Sequence, residues 1–206
     1  FSDMGIGTAI VQYKDLTKQE YQDLYSFSHY LSIILSFVFV GVGYLVSIFY
    51  NNEIYIKLGL ILGISIFFTT LNVVPNAIML KEQRFLEIGL RTLLSAVISG
   101  GITIILAFCG FSYYAVVLQS LLQSFFVFIW NRIRVPLKAK LKFNLNSLKK
   151  IFSFSIYQAM FQTINYFAAN TDTILVGKTL GEASVGLYDK AYKLMTYPMT
   201  MFSGII

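Results

Sequence analysis

Long charge-free stretches alternate with short polar ones along this chain. Nothing charged occurs from Tyr30 to Asn52, from Thr92 to Asn131, or from Ile151 to Thr171. At 1.5 Å per residue, a helix needs about 20 such residues to cross the roughly 30 Å of bilayer hydrocarbon. The pattern predicts membrane-spanning helices over 27–50 and 57–79. Two more fill 89–131, broken at Cys109-Gly-Phe-Ser112, where Gly110 suits a tight turn. A further helix starts near 150, and a last one follows a turn near Glu182. Barrel strands are only about 9–11 residues long, so these runs exclude a barrel. The expected fold class is all-α, a polytopic transmembrane helix bundle.

The connections are expected over 13–25, 51–56, 80–88, 132–149 and 178–184. Thr17 and Glu20 have the T-x-x-E spacing of a capping box, which predicts a helix start at Thr17. Gly41-Val-Gly43, the Gly59/Gly63 pair and the run Ser95, Ala96, Ser99, Gly100, Gly101 predict close contacts between helices. Pro75, near the end of the second span, predicts a kink or a frayed end.

Charge adds a direction. The segment Asn131–Lys150, NRIRVPLKAKLKFNLNSLKK, holds seven of the 16 Lys and Arg residues and no acid. A nucleic-acid patch would need a soluble fold around it, and charge-free runs flank this one. Lys14, Lys18, Lys81, Arg84, Arg91 and those seven make twelve positive residues on the loop's side of the membrane. Lys57 and Lys178 make two on the other. The loop side is therefore expected to be cytoplasmic. Composition agrees, with 56% apolar and 13% charged residues, against roughly 25% charged in a soluble domain. One cysteine (Cys109) and one histidine (His29) allow neither an intrachain disulfide nor a multi-histidine metal site in these residues. No metal or cofactor is expected. A start on Phe1 and an end inside an apolar run lead us to expect a fragment of a longer membrane protein.

Polar groups inside the apolar runs are the candidate chemistry. Gln158, Gln162, Asn165, Ala169 and Asp172 fall at intervals of four, three, four and three. On a helix they share an arc of about 80°. The amides alone could be bundle packing, but an intramembrane carboxylate is costly and points to a water-filled cavity. Gln119 and Gln123 share another face. Arg91 follows Glu87 by one turn, so it is either an ion pair at the membrane edge or a cation facing an anionic substrate.

These residues also carry a resemblance. Phe1-Ser-Asp-Met-Gly-Ile-Gly7 with Ala9-Ile-Val-Gln12 and Asp15-Leu-Thr17 is similar to the motif after the second helix of bacterial Wzx-type polysaccharide flippases, in the MOP (MATE-like) exporter superfamily. Val74-Pro75-Asn76-Ala77 with Arg84-Phe85 resembles that family's fourth helix and the loop after it. Asn170-Thr-Asp172, Val176-Gly177, Leu180-Gly181 and Gly186-Leu-Tyr188 with Ala191-Tyr192 resembles its seventh-to-eighth helix segment. The likeness covers nearly the whole chain. It implies first-lobe helices over 1–131, a cytoplasmic inter-lobe loop over 132–149, and the first two helices of a second lobe over 150–206.

The resemblance implies a transporter rather than an enzyme. It would flip oligosaccharide units on undecaprenyl diphosphate across the bacterial inner membrane by alternating access, for surface polysaccharides such as O-antigen, capsule or exopolysaccharide. A diphosphate needs cations, and Arg84, Arg91, Lys178, Lys190 and Lys193 are the candidates. Sugars and a coupling ion need polar groups, and Gln119, Gln123, Gln158, Gln162, Asn165 and Asp172 supply them. Expected partners are the lipid-linked oligosaccharide, membrane lipids, and the polysaccharide polymerase and chain-length machinery, with no nucleic acid. Two alternatives remain. One is a drug or peptidoglycan-precursor exporter of the same superfamily. The other is a membrane enzyme of polysaccharide assembly, which calls for a catalytic constellation and a larger external loop than any expected here.

Overall fold

The computed structural model describes residues 5–13, 16–140 and 144–203. The helices are α1 (Ile6–Gln12), α2 (Lys18–Tyr50), α3 (Ile54–Lys81), α4 (Phe85–Leu106), α5 (Tyr113–Arg134), α6 (Leu145–Leu180) and α7 (Glu182–Ser203). A wider π turn, Ala107–Phe111, joins α4 to α5. Among the described residues there is no strand. The expectations placed on Phe1–Met4, Lys14, Asp15 and Lys142 lie outside the described residues.

The helix bodies fall where the charge-free runs put them, but the connections are shorter than expected. The segment 13–25 is a connection only up to Thr17. There the Thr17 backbone N–H donates to Glu20 Oε2 at 2.7 Å, and Glu20 N–H donates to Thr17 Oγ1 at 3.3 Å. This reciprocal cap starts α2, whose first turns bury Asp23, Leu24 and Tyr25. Asn51, at φ 54°, closes α2, so the turn to α3 is 51–53 rather than 51–56. The turn expected over 80–88 is only 82–84. The basic loop shrinks to 135–144, because α5 runs to Arg134 and α6 begins at Leu145. Pro75 is buried inside α3, which continues to Lys81. Gly110, at φ 89°, breaks the chain before α5 as expected, and Gly181, at φ 82°, separates α6 from α7.

Among the described residues, four helical stretches are long and apolar enough to cross a membrane: Lys18–Tyr50, Ile54–Lys81, Phe85–Phe111 and Tyr113–Arg134. Large apolar side chains such as Phe37, Leu86 and Phe108 are exposed on them, as a lipid-facing surface requires. Neither α6 nor α7 is among the four. The amides at Gln158, Gln162, Asn165 and Asn170 dilute the apolar character of α6.

The chain forms two compact units, Phe1–Ala159 and Met160–Ile206. In the first, α2 and α3 meet backbone to backbone. A Cβ on Gly43 would lie 2.8 Å from Gly59 Cα, and one on Gly63 would lie 2.8 Å from Val40 Cγ2. Ser36 Oγ donates to the Gly63 carbonyl at 2.9 Å across the same seam. Gly41 and Gly101 face open space, so those two glycines make no such contact. At one end of the unit, Ile6, Ala9 and Ile10 of α1 pack with Leu24, Tyr25, Val74, Ala77, Ile78, Met79, Val135 and Leu137 into one apolar cluster. In the second unit, Tyr188 Oη on α7 donates to Asp172 Oδ2 on α6 at 2.5 Å.

Candidate functional site

Helix α3 carries Ser65, Thr69, Asn72 and Asn76 at intervals of four, three and four, so they share one face. The α2–α3 seam fixes the rotation of α3 and turns that face toward α5. A cavity of about 690 Å³ opens there. The four α3 residues line it together with Arg91 from α4, and Ser120, Gln123 and Ser124 from α5. Gly7, Thr8 and Val11 of α1 complete the wall.

One polar chain runs through this wall. Asn72 Nδ2 donates to the Ser124 carbonyl at 3.0 Å. Asn131 Nδ2 donates to Asn72 Oδ1 at 2.9 Å. Arg91 then donates from Nη1 to Asn131 Oδ1 at 2.5 Å and from Nη2 to Asn76 Oδ1 at 2.9 Å. Ser65 and Ser124 bring their hydroxyls within 3.4 Å of each other. The asparagines of α3 and α5 therefore hold the guanidinium fork of α4 in place.

Arg91 is only 5% exposed, and all its hydrogen-bond partners are neutral. Its Nε–H is buried without an acceptor. Among the described residues it has no ion-pair partner. The pairing with Glu87 allowed by their spacing does not form. Glu87 binds Arg84 at 2.7 Å and approaches Arg134 at 3.9 Å. Arg84 and Glu87 lie at the start of α4, about a quarter to a third exposed, where water eases an ion pair. Arg91 sits one turn deeper and turns to α3 and α5. Several kcal/mol is the general cost of a buried charge without a counter-ion, and amide oxygens recover only part of it. An anion entering this cavity would complete the pairing.

The other candidates are placed differently. Gln123 lines the cavity, but Gln119 does not. The Gln119 amide lies 3.8 Å from where a Cβ on Gly100 would stand. Arg84 bridges Glu82 and Glu87. Lys178 and Lys190 are exposed. Lys193 pairs with Asp189 at 2.7 Å, one turn away on an exposed face of α7. Gln158 packs against Gly5, where a Cβ would meet its side chain at 2.7 Å. Gln162 and Asp172 are half-buried and Asn165 is exposed. Asp172 accepts from Thr173 N–H and from Tyr188. The site thus gathers Arg91 and Gln123 from the candidates, and adds Asn72, Asn76, Asn131 and Ser124, which were not singled out.

Residues 1–206 match the family described as "Polysaccharide biosynthesis protein". The chain is similar to the teichuronic acid biosynthesis protein TuaB of Bacillus subtilis (strain 168), 28% identical over 206 residues. That alignment covers 99% of this chain and 43% of TuaB. It is also similar to the amylovoran biosynthesis protein AmsL of Erwinia amylovora, 24% identical over 203 residues, covering 96% of this chain and 52% of AmsL. The chain spans about half the length of these curated relatives. No solved structure matches it.

Proposed function

Because the chain belongs to the polysaccharide biosynthesis protein family, we propose that it is part of a transporter moving lipid-linked oligosaccharide units across a bacterial inner membrane. The observation that carries this reading is Arg91, a buried cation without a carboxylate in a polar cavity among membrane-length helices. The guanidinium takes an anionic group of the substrate, such as the diphosphate that joins sugar to lipid carrier. Gln123, Thr69 and Ser120 offer hydrogen bonds to sugar hydroxyls. Nothing in this set needs a bond to be made or broken, which is why a carrier is favoured over an enzyme.

The proposed orientation places the 135–144 loop in the cytoplasm, following the lysine and arginine bias. Single cysteines at Asn52 and Lys140, in a Cys109→Ala background, test it with an impermeant thiol reagent. The Asn52 position reacts from outside and the Lys140 position does not; equal labelling in intact cells rejects the orientation. Function is tested by deleting the gene and following lipid-linked sugars. Repeat units accumulate on the carrier, and the wild-type gene clears them while Arg91→Gln does not. Unchanged lipid-linked sugars in the deletion strain overturn the proposal and favour an exporter of another cargo.

A further inference from the structure

Just past α5 the chain leaves the helix and crosses the end of the first unit, with a γ-turn at Pro136 closed by the Leu137 N–H donating to the Val135 carbonyl at 2.8 Å. Val135 and Leu137 are 9% and 7% exposed and sit in the apolar cluster with α1, α2 and α3. Between and beyond them, Pro136, Lys138 and Lys140 are exposed. The two apolar side chains are thus seated while the cations lie on the exposed side, and from Lys138 to Lys140 all three residues are exposed. Two further hydrogen bonds fix the segment. The Arg132 guanidinium donates to the Leu137 carbonyl, and the Lys140 backbone N–H donates to Ser26 Oγ on α2 at 2.8 Å. The cations are thus carried on a held strap.

Their charge is not spent internally. Arg134, with 53% of its side chain exposed, reaches Glu87 only at 3.9 Å. Lys138 and Lys140 have no carboxylate partner among the described residues, and no acid occurs from Asn131 to Lys150. The strap begins where the candidate span Tyr113–Arg134 ends. Beside it stand Ile133, 72% exposed, and Trp130, whose ring lies 5.8 Å from the Arg134 guanidinium. An exposed isoleucine and a tryptophan next to outward cations are the makings of a bilayer-interface element.

We propose that the strap 132–140 binds anionic phospholipid headgroups at the membrane face where α5 ends. Each lysine or arginine held near an anionic surface strengthens association by about fivefold, and the effect needs charges within roughly 10 Å at ordinary salt. Arg134, Lys138 and Lys140 meet that condition if the span ends at the headgroups. The surface shares no residue with the Arg91 cavity, so it can fail or hold independently of the transport reading.

The test uses full-length protein in phosphatidylcholine vesicles carrying a minor fraction of brominated phosphatidylglycerol or brominated phosphatidylcholine. Trp130 reports as the fluorescence difference between protein with and without Trp130→Phe. Phosphatidylglycerol quenches it at several-fold lower mole fraction than phosphatidylcholine. The preference disappears at about 1 M salt, where screening shortens to roughly 3 Å. Arg134→Gln, Lys138→Gln and Lys140→Gln together bring the two lipids close to parity, while Lys57→Gln leaves the preference unchanged. Equal quenching by the two lipids overturns the proposal, as does a preference that survives high salt. The salt titration on unmodified protein decides the matter even if the triple variant does not fold.

Discussion

Helices α3 and α6 carry polar side chains in the same rhythm, and the structure uses them differently. Ser65, Thr69, Asn72 and Asn76 repeat at four, three and four, as do Gln158, Gln162, Asn165 and Ala169, with Asp172 three further on. On α3 the stripe faces α4 and α5, and Asn72 and Asn76 join a network ending at Arg91. On α6, Gln162 and Asn165 make no side-chain hydrogen bond among the described residues, and Asp172 is held by Tyr188. A polar stripe becomes a site when a neighbouring helix brings a group the stripe can hold but cannot neutralise. That group, Arg91, lies on neither stripe.

Removing Arg91 should break this comparison most severely. A buried, hydrogen-bonded charge contact is worth about 2–5 kcal/mol to a bound partner, so Arg91→Leu is expected to slow export by more than about thirtyfold. Stability should fall by only about 1–3 kcal/mol, because removing an unpaired buried charge offsets part of the cost of leaving the Asn131 and Asn76 oxygens without a donor. Export at the wild-type rate in cells, with normal protein levels, would falsify the cavity's role. Asn131→Asp comes next, because it hands Arg91 the counter-ion it lacks. Melting temperature should hold or rise while transport falls about tenfold; a fall in both would mean that Asn131 matters only for packing.

The α6 side of the comparison predicts smaller effects. Asp172→Asn keeps an acceptor for Tyr188 but removes the charge, and transport should drop severalfold with the protein still inserted. Full export by both Asp172→Asn and Asp172→Ala would reduce the acid to a helix-pairing role. Tyr188→Phe removes one hydrogen bond and should cost about 1 kcal/mol of stability, read as a small fall in melting temperature. Gln162→Ala and Asn165→Ala should stay within twofold of wild type in export. A large loss from either would show that the α6 stripe is a site in its own right.

Much of the fold could be read in the sequence, because charge-free runs of spanning length have few alternatives. The ends of helices were harder. The Thr17 cap was visible, yet 18–25 looks like a connection because its charges hide a buried edge of Asp23, Leu24 and Tyr25. Arg91 and Gln123 were legible as polar groups in apolar surroundings. Arg91's partners were not, since Asn76, Asn131 and Asn72 come from two helices and lie up to 59 residues apart. The α3 rhythm was there to be found, but serine and threonine in a helix often bond their own backbone, as Thr69 does to the Ser65 carbonyl, which mutes the signal.

The contact of Gly43 with Gly59 bears on how the protein is born. The two glycines flank a turn of only three residues, 51–53, so the α2–α3 hairpin closes locally as soon as α3 leaves the ribosome. Asn72, by contrast, must wait for Asn131, 59 residues later. At about 5–20 residues per second, that is roughly 3–12 s with its amide in the bilayer and its final partner unmade. A premade hairpin fixes the rotation of α3 during this interval, so that Asn72 already points to where α5 will arrive. Gly59→Val, which overpacks the seam by about 1–3 kcal/mol, should therefore lower the yield of inserted protein more than the rate of each molecule that survives. Pulse-labelled membranes, compared with export per mature molecule, separate the two.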